Sequence, residues 1–391
     1  MTARAPSPPG PLATLRLTLW LLAVTNFAIG MGGFVVIGIL SPVAADLAIS
    51  KAQAGSLMTV YAFFYAIGSP LGVALTGHWD RKRVLLAGML VFVAGSALAV
   101  MAGSLVTVWL ARAVMALGAG LVTPVAAAVA AALSPTEQRG RALAVVFGGL
   151  TLAQALGVPV GAWLGYTLGW RSAFVVVAVL GATVWLALRL RLPERIMVPA
   201  ASLRALGAVL ACRPQTLAVS FTALFIGALY VVYTYIAPML EQRYGLGRDG
   251  VSLVLLVFGI GAVVGNGVGG WLTDRIGGRR TLAILCAAQV LLLCAVTLLH
   301  LPLLALLLLT AVWSVCGWSF MVAQQARLVA LAPERVPVLF ALNASFLYAG
   351  STLGSALGGL VLRHQGFDAL GPVAALLMVL AGASLWSRAR V

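Results

Sequence analysis

Two short polar stretches carry an Asp-Arg step in a chain that is only 9% charged. GGWLTDRIGGRR (269–280) holds Asp274 and Arg275, and LTGHWDRKRVLL (75–86) holds Asp80 and Arg81. A carboxylate beside a guanidinium forms charge-assisted hydrogen bonds, and a carboxylate at a helix N-terminus meets the positive end of the helix dipole. Between apolar stretches, some of these arginines also serve as topology anchors. The apolar stretches contain no Ser-His pair, no paired Asp and no His cluster, which argues against a membrane hydrolase or transferase. Cys212, Cys286, Cys294 and Cys316 stand alone, without metal or redox spacing, so no metal or cofactor is expected.

Arg112 is the one basic residue set inside an apolar stretch. An ionised side chain there costs at least about 2.5–3.5 kcal/mol and is a functional candidate by default. It suits binding an anionic group or tuning a neighbouring titrating group; the alternative is a structural arginine satisfied by backbone carbonyls or water. The nine acids are Asp46, Asp80, Glu137, Glu194, Glu241, Asp249, Asp274, Glu334 and Asp368, and all fall in loops or at the ends of apolar stretches. No desolvated carboxylate of the kind that exchanges a proton inside an apolar region is thus visible. Three readings stay open for any proton chemistry: through Asp46 or Glu241, which end the first and seventh stretches in PVAAD and PMLEQ; indirectly through Arg112 and the loop aspartates; or none, with no proton involved.

The elements that must position these groups follow from composition. The 391 residues are 62% hydrophobic with mean hydropathy +1.08, against about 45–50% apolar and about 25% charged in soluble domains. This is an all-α polytopic membrane protein with the lipid bilayer as solvent. The net charge of +16 comes without aromatic-basic patches, so nucleic acid is not expected. Twelve apolar segments reach or approach the roughly 20 residues that span a bilayer: 17–44, 53–77, 83–103, 105–133, 141–165, 168–190, 215–240, 250–273, 279–299, 301–331, 337–363 and 367–387. The expected order is a tail (1–16), a six-helix bundle (17–190), a central loop (191–214), a second six-helix bundle (215–387) and a short tail (388–391). The stretch ASLRALGAVLA in the central loop suits a helix on the membrane surface. The first apolar run is too long for a signal-peptide core, so it is expected to be retained. With both termini inside, 19 of the 25 Lys and Arg lie on the inner face and five on the outer, a strong positive-inside bias.

The halves echo each other. Asp80 and Asp274 are 194 positions apart, and LSPTEQRGRALA (133–144) and LAPERVPVLFAL (331–342) are 198 apart. Two matches in the same order indicate duplication of six helices into two pseudo-symmetric bundles, the plan of transporters that rock one bundle against the other.

These motifs resemble the major facilitator superfamily, in its 12-helix drug- and sugar-efflux type, over essentially the whole chain. GGWLTDRIGGRR is similar to the family loop Gly-x-x-x-Asp-Arg-x-Gly-x-Arg-Arg, while TGHWDRKRVLL is a shortened copy lacking the middle glycine. RAVMALGAG (112–120) resembles Arg-x-x-Gln-Gly-x-Gly with Met115 and Ala116 substituted. LGVPVGAWLGYTLGWRSAF (156–174), with Gly157, Pro159 and Gly161, is similar to the antiporter motif and the Gly-Trp-Arg turn that follows it. FAIGMGGF (27–34) has Gly33 where many relatives carry Glu.

The resemblance implies a cytoplasmic latch of Asp80, Arg81, Arg139, Arg141, Asp274 and Arg275. It also implies a central cavity offering Asn26, Arg112, Tyr230, Tyr233, Thr234, Tyr235, Trp313 and Trp318, with Tyr61, Tyr65, Gln154, Asn266 and Asn343 beside them. Aromatic walls with sparse amides suit a neutral or weakly charged amphiphile. The expectation is a monomeric secondary transporter of a bacterial-type inner membrane, with cytoplasmic termini, exporting small amphiphilic drugs or metabolites by alternating access and proton antiport. Alternatives are an uncoupled or import facilitator, and a non-transporting sensor on a transporter fold.

Overall fold

The computed structural model describes residues 11–135, 138–194, 196 and 203–386. The C-terminal tail expected at 388–391, most of the N-terminal tail, and Glu137 lie outside the described residues. The helices are α1 Pro11–Asp46, α2 Lys51–Leu75, α3 Arg81–Met101, α4 Leu105–Leu133, α5 Arg139–Leu152, α6 Val158–Leu168, α7 Trp170–Arg191, α8 Leu203–Leu210, α9 Arg213–Tyr233, α10 Ile236–Tyr244, α11 Arg248–Ile276, α12 Gly278–Leu298, α13 Leu303–Leu331, α14 Val336–Gln365 and α15 Leu370–Ser384. They make eleven spans long and apolar enough to cross a membrane, and a twelfth, shorter apolar helix, Leu370–Ser384. The short α8 lies outside the spans, packing Leu206 and Val209 against Leu339 and Leu342 of the eleventh.

Two spans that read as continuous helices are interrupted. The fifth is α5 and α6 joined through a π-turn, Ala153–Gly157. Pro159 in the first turn of α6 has no N–H to return to Ala155, and the wider turn absorbs the lost bond. The seventh is α9 and α10, parted at Thr234–Tyr235. Pro238 likewise cannot bond back to Thr234, so the helix restarts at Ile236. At Gly169 and Gly277, φ is +86° and +82°; these left-handed turns, one before Trp170-Arg171 and one inside GGRR, need glycine.

Packing repeats between the halves. The first span packs on the fifth as the seventh does on the eleventh, the second on the fourth as the eighth on the tenth, and the third on the sixth as the ninth on the twelfth. The halves meet through the second span on the eleventh and the fifth on the eighth, a pair related by the same exchange. Within each half glycines bring backbones together: a Cβ at Gly118 would strike Phe92, and one at Gly269 would strike the Ser319 backbone. The bundle has two ends: a near end, where the first span begins, and a far end, where that span stops at Asp46.

Candidate functional site

Arg112 is fully buried in the middle of the first half. Its Nη1 donates to the Gly32 carbonyl at 2.5 Å, Nη2 to that of Gly33 at 2.8 Å, and Nε to that of Leu57 at 3.3 Å. The guanidinium stands 4.2 Å from the Tyr61 ring centroid. Three carbonyls and a π face thus satisfy the planar fork, and no carboxylate takes part. Gly33 completes this wall. A Cβ there would come within 3.2 Å of the Tyr61 ring, beside the carbonyl that Arg112 holds.

The second half supplies a closed aromatic cluster. Tyr233 stacks on Phe258 at 4.0 Å and meets Tyr230 edge-on at 5.8 Å, and Trp313 lies 5.0 Å from Phe258. The Tyr233 hydroxyl, the Trp313 indole N–H, the Tyr61 hydroxyl and the Gln154 amide nitrogen are buried with no hydrogen-bond partner among the described residues. Buried polar atoms in this condition are costly unless they have a task. Other expected cavity residues are structural in their contacts. Asn26 donates to the Val146 carbonyl at 3.1 Å, tying the first span to the fifth. Asn343 accepts from Thr222 at 2.6 Å, beside Gln324. Asn266 donates to the Ala262 carbonyl of its own helix at 3.3 Å.

A column of contacts joins the halves from mid-bundle to the far end. The π-turn at Gln154 and Ala155 presses on Gly259, where a Cβ would collide. Tyr65 stacks on Tyr348 with centroids 3.6 Å apart. The Thr59 and Ser355 hydroxyls are 2.8 Å apart, and Tyr235 donates to the Ser355 carbonyl at 2.8 Å. The Tyr235 ring fills space left by Gly55 and Gly359. At the far end Glu241 accepts hydrogen bonds from the hydroxyls of Ser41 and Tyr166, in the first and fifth spans.

The other far-end acids are paired inside one half. Asp46 accepts from Arg171 at 2.7 Å and Trp170 at 3.0 Å; Asp368 pairs with Arg243 and Asp249 with Arg248. Asp46 and Glu241, alike in sequence position, therefore differ in kind. Among the described residues Glu241 has no basic partner and is the acid that links the halves.

The near end is arranged differently. Asp80 caps the third span, accepting from the N–H groups of Lys82 at 3.3 Å and Ile196 at 3.0 Å. Arg81 is buried, forked on the carbonyls of Thr76 and Gly77. Asp274 is exposed with no ion pair among the described residues, Arg275 covers Trp271 at 4.3 Å, and Arg139 and Arg141 are exposed. The six residues expected to form one latch are thus not assembled in this structure. Gly157 and Gly161 seat the fifth span on Met31 and Val35 of the first, and Pro159 sets the π-turn. Sequence reasoning passed over Ser41, Tyr166, Tyr348, Ser355 and Phe258. Tyr166 and Tyr348 carried a usable signal, as phenols inside apolar spans.

The family model of the Major Facilitator Superfamily matches residues 22–328 and 219–390. The chain is 31% identical over 363 residues to the MFS-type transporter YbcL of Bacillus subtilis, covering 93% of each. It is 32% identical to the inner membrane transport protein YdhP of Escherichia coli K12, covering 89% of each. It is 36% identical over 265 residues to a chloramphenicol resistance protein of Streptomyces lividans, covering 67% of this chain and 68% of that one. In fold it is similar to a bacterial homologue of the human lysosomal transporter Spinster, with a TM-score of 0.74, 18% identity and 97% of each chain covered. Neither the buried arginine nor the carboxylate between the halves is arranged for covalent chemistry, and the chain belongs to the Major Facilitator Superfamily, as a multi-pass membrane transporter and not an enzyme.

Proposed function

We propose that this protein exports small, neutral or weakly charged amphiphiles across a bacterial inner membrane by alternating access, driven by protons entering in exchange. The near end is cytoplasmic, in keeping with its excess of Lys and Arg. The observation that carries the reading is the inequality of the two ends. The halves are joined from Tyr65–Tyr348 to Glu241 at the far end, while the near-end latch residues stand apart. This is the arrangement of a carrier whose outer gate is shut and whose inner side awaits substrate. The apolar and aromatic interior with isolated donors suits an amphiphile, and the chloramphenicol resistance relative supports efflux. Glu241 is the group through which protons act, since opening the far end must break its bonds to Ser41 and Tyr166.

One observation favours a second reading, uncoupled facilitation: Gly33 leaves no carboxylate beside Arg112, whose donors are met by carbonyls. Everted membrane vesicles decide between them. With an imposed pH gradient, export predicts accumulation of a neutral amphiphile such as chloramphenicol, abolished by a protonophore. Facilitation predicts equilibration that ignores the gradient.

A further inference from the structure

At the near end a cavity of about 690 Å³ opens between the start of the first span, the end of the fourth and the start of the fifth. Arg16 and Arg141 line it, with Trp20, Leu19, Ser134 and Gln138. Both arginines are exposed and carry no ion pair among the described residues. Ser134 is only 5% exposed, and its hydroxyl is buried with no hydrogen-bond partner among the described residues. The helix that begins here, Arg139–Leu152, has Gln138 at its N-cap without a side-chain cap bond. Its first turn carries the positive end of the helix dipole.

Two guanidiniums, an uncapped helix start and an orphaned buried hydroxyl converge on one cavity. All four favour an anion rich in acceptor oxygens, which is a phosphate ester. The cavity far exceeds a bare phosphate, and Leu19 and the 65%-exposed Trp20 give it an apolar flank at the depth where an indole meets headgroups.

We propose that this cavity binds the headgroup of an anionic glycerophospholipid, with Arg16, Arg141 and Ser134 on the phosphate and Leu19 and Trp20 along the acyl chains. Assignment of the lipid to the inner leaflet rests on the near end being cytoplasmic; the binding itself does not. Arg141 is also one of the residues expected in the near-end latch, so a lipid held there competes with that role.

Native mass spectrometry of the full-length protein, released from membranes of equal parts phosphatidylglycerol and phosphatidylcholine, tests the site without any transport readout. The wild type should retain phosphatidylglycerol in preference to phosphatidylcholine. Arg16→Gln and Arg141→Gln should each weaken retention about fivefold, and together about thirty-fold. Ser134→Ala should weaken it further, whereas Arg280→Gln, at the same end in the other half, should not. Because Arg16 and Arg141 are exposed, each single variant should keep the wild-type thermal unfolding. Equal retention of the two lipids by the wild type overturns the proposal, as does unchanged retention in the double variant. Displacement of the lipid by millimolar inorganic phosphate identifies a free-anion site and overturns it as well.

Discussion

The rings of Tyr65 and Tyr348 lie face to face, centroids 3.6 Å apart and planes within 22° of parallel, one from each half of the chain. They belong to the column of contacts that joins the halves between mid-bundle and the far end. An aromatic pair of this kind contributes about 0.5–1.5 kcal/mol beyond its buried area. That is enough to shift a balanced two-state carrier by roughly two- to tenfold.

Tyr65→Ala should therefore loosen the far end. Spin labels placed on the far-end loops of the two halves should show a larger long-distance population by that factor, with slower export. An unchanged distance distribution would remove the stack from the gate.

Glu241→Gln keeps the side-chain volume but removes the charge that receives two hydroxyl bonds. Hydrogen bonds to charged groups contribute about 1.5–3 kcal/mol each. The variant should open the far end more often and flatten the dependence of export on external pH. Asp46→Asn, whose parent acid pairs with Arg171 inside one half, should leave the pH profile in place. Equal effects from the two substitutions would contradict the difference in kind between these acids.

Arg112→Lys retains a cation but not a fork able to reach Leu57, Gly32 and Gly33 together. Export should fall at least about tenfold while the unfolding free energy drops by about 1–3 kcal/mol. A loss of stability with wild-type flux per folded molecule would reduce Arg112 to a structural role.

Asp274→Asn probes the latch from the other side. Asp274 is exposed and holds no ion-pair partner among the described residues. The substitution should leave this state intact and disfavour the one with the near end closed. Thiol labelling of cysteines introduced at the near end should rise and export should slow. Normal labelling together with normal flux would leave Asp274 as a solvated loop residue.

The fold is largely legible in the sequence, because spanning a bilayer demands long apolar runs and the duplicated loops show how they group. The breaks in the fifth and seventh spans are less so. Pro159 and Pro238 announce a lost bond, but whether a helix answers with a π-turn or a restart depends on what packs around it. The site is legible by residue type and not by partnership. Asp46 and Glu241 occupy matching places in the sequence, yet Arg171 lies within reach of one, while the other meets Ser41 and Tyr166 across the halves. Such pairings depend on how two bundles dock, which local pattern does not encode. Arg112 poses the same difficulty: the sequence marks it as costly, and only the packing of the first two spans supplies its carbonyls.

The proposed exchange of substrate for protons runs without a carboxylate beside Arg112. Purified protein in liposomes with a trapped pH dye, challenged with a neutral amphiphile under an imposed pH gradient, addresses it directly. Exchange predicts proton movement that depends on substrate and is strongly reduced by Glu241→Gln. Substrate equilibration with no accompanying proton movement would contradict it and make the protein a facilitator.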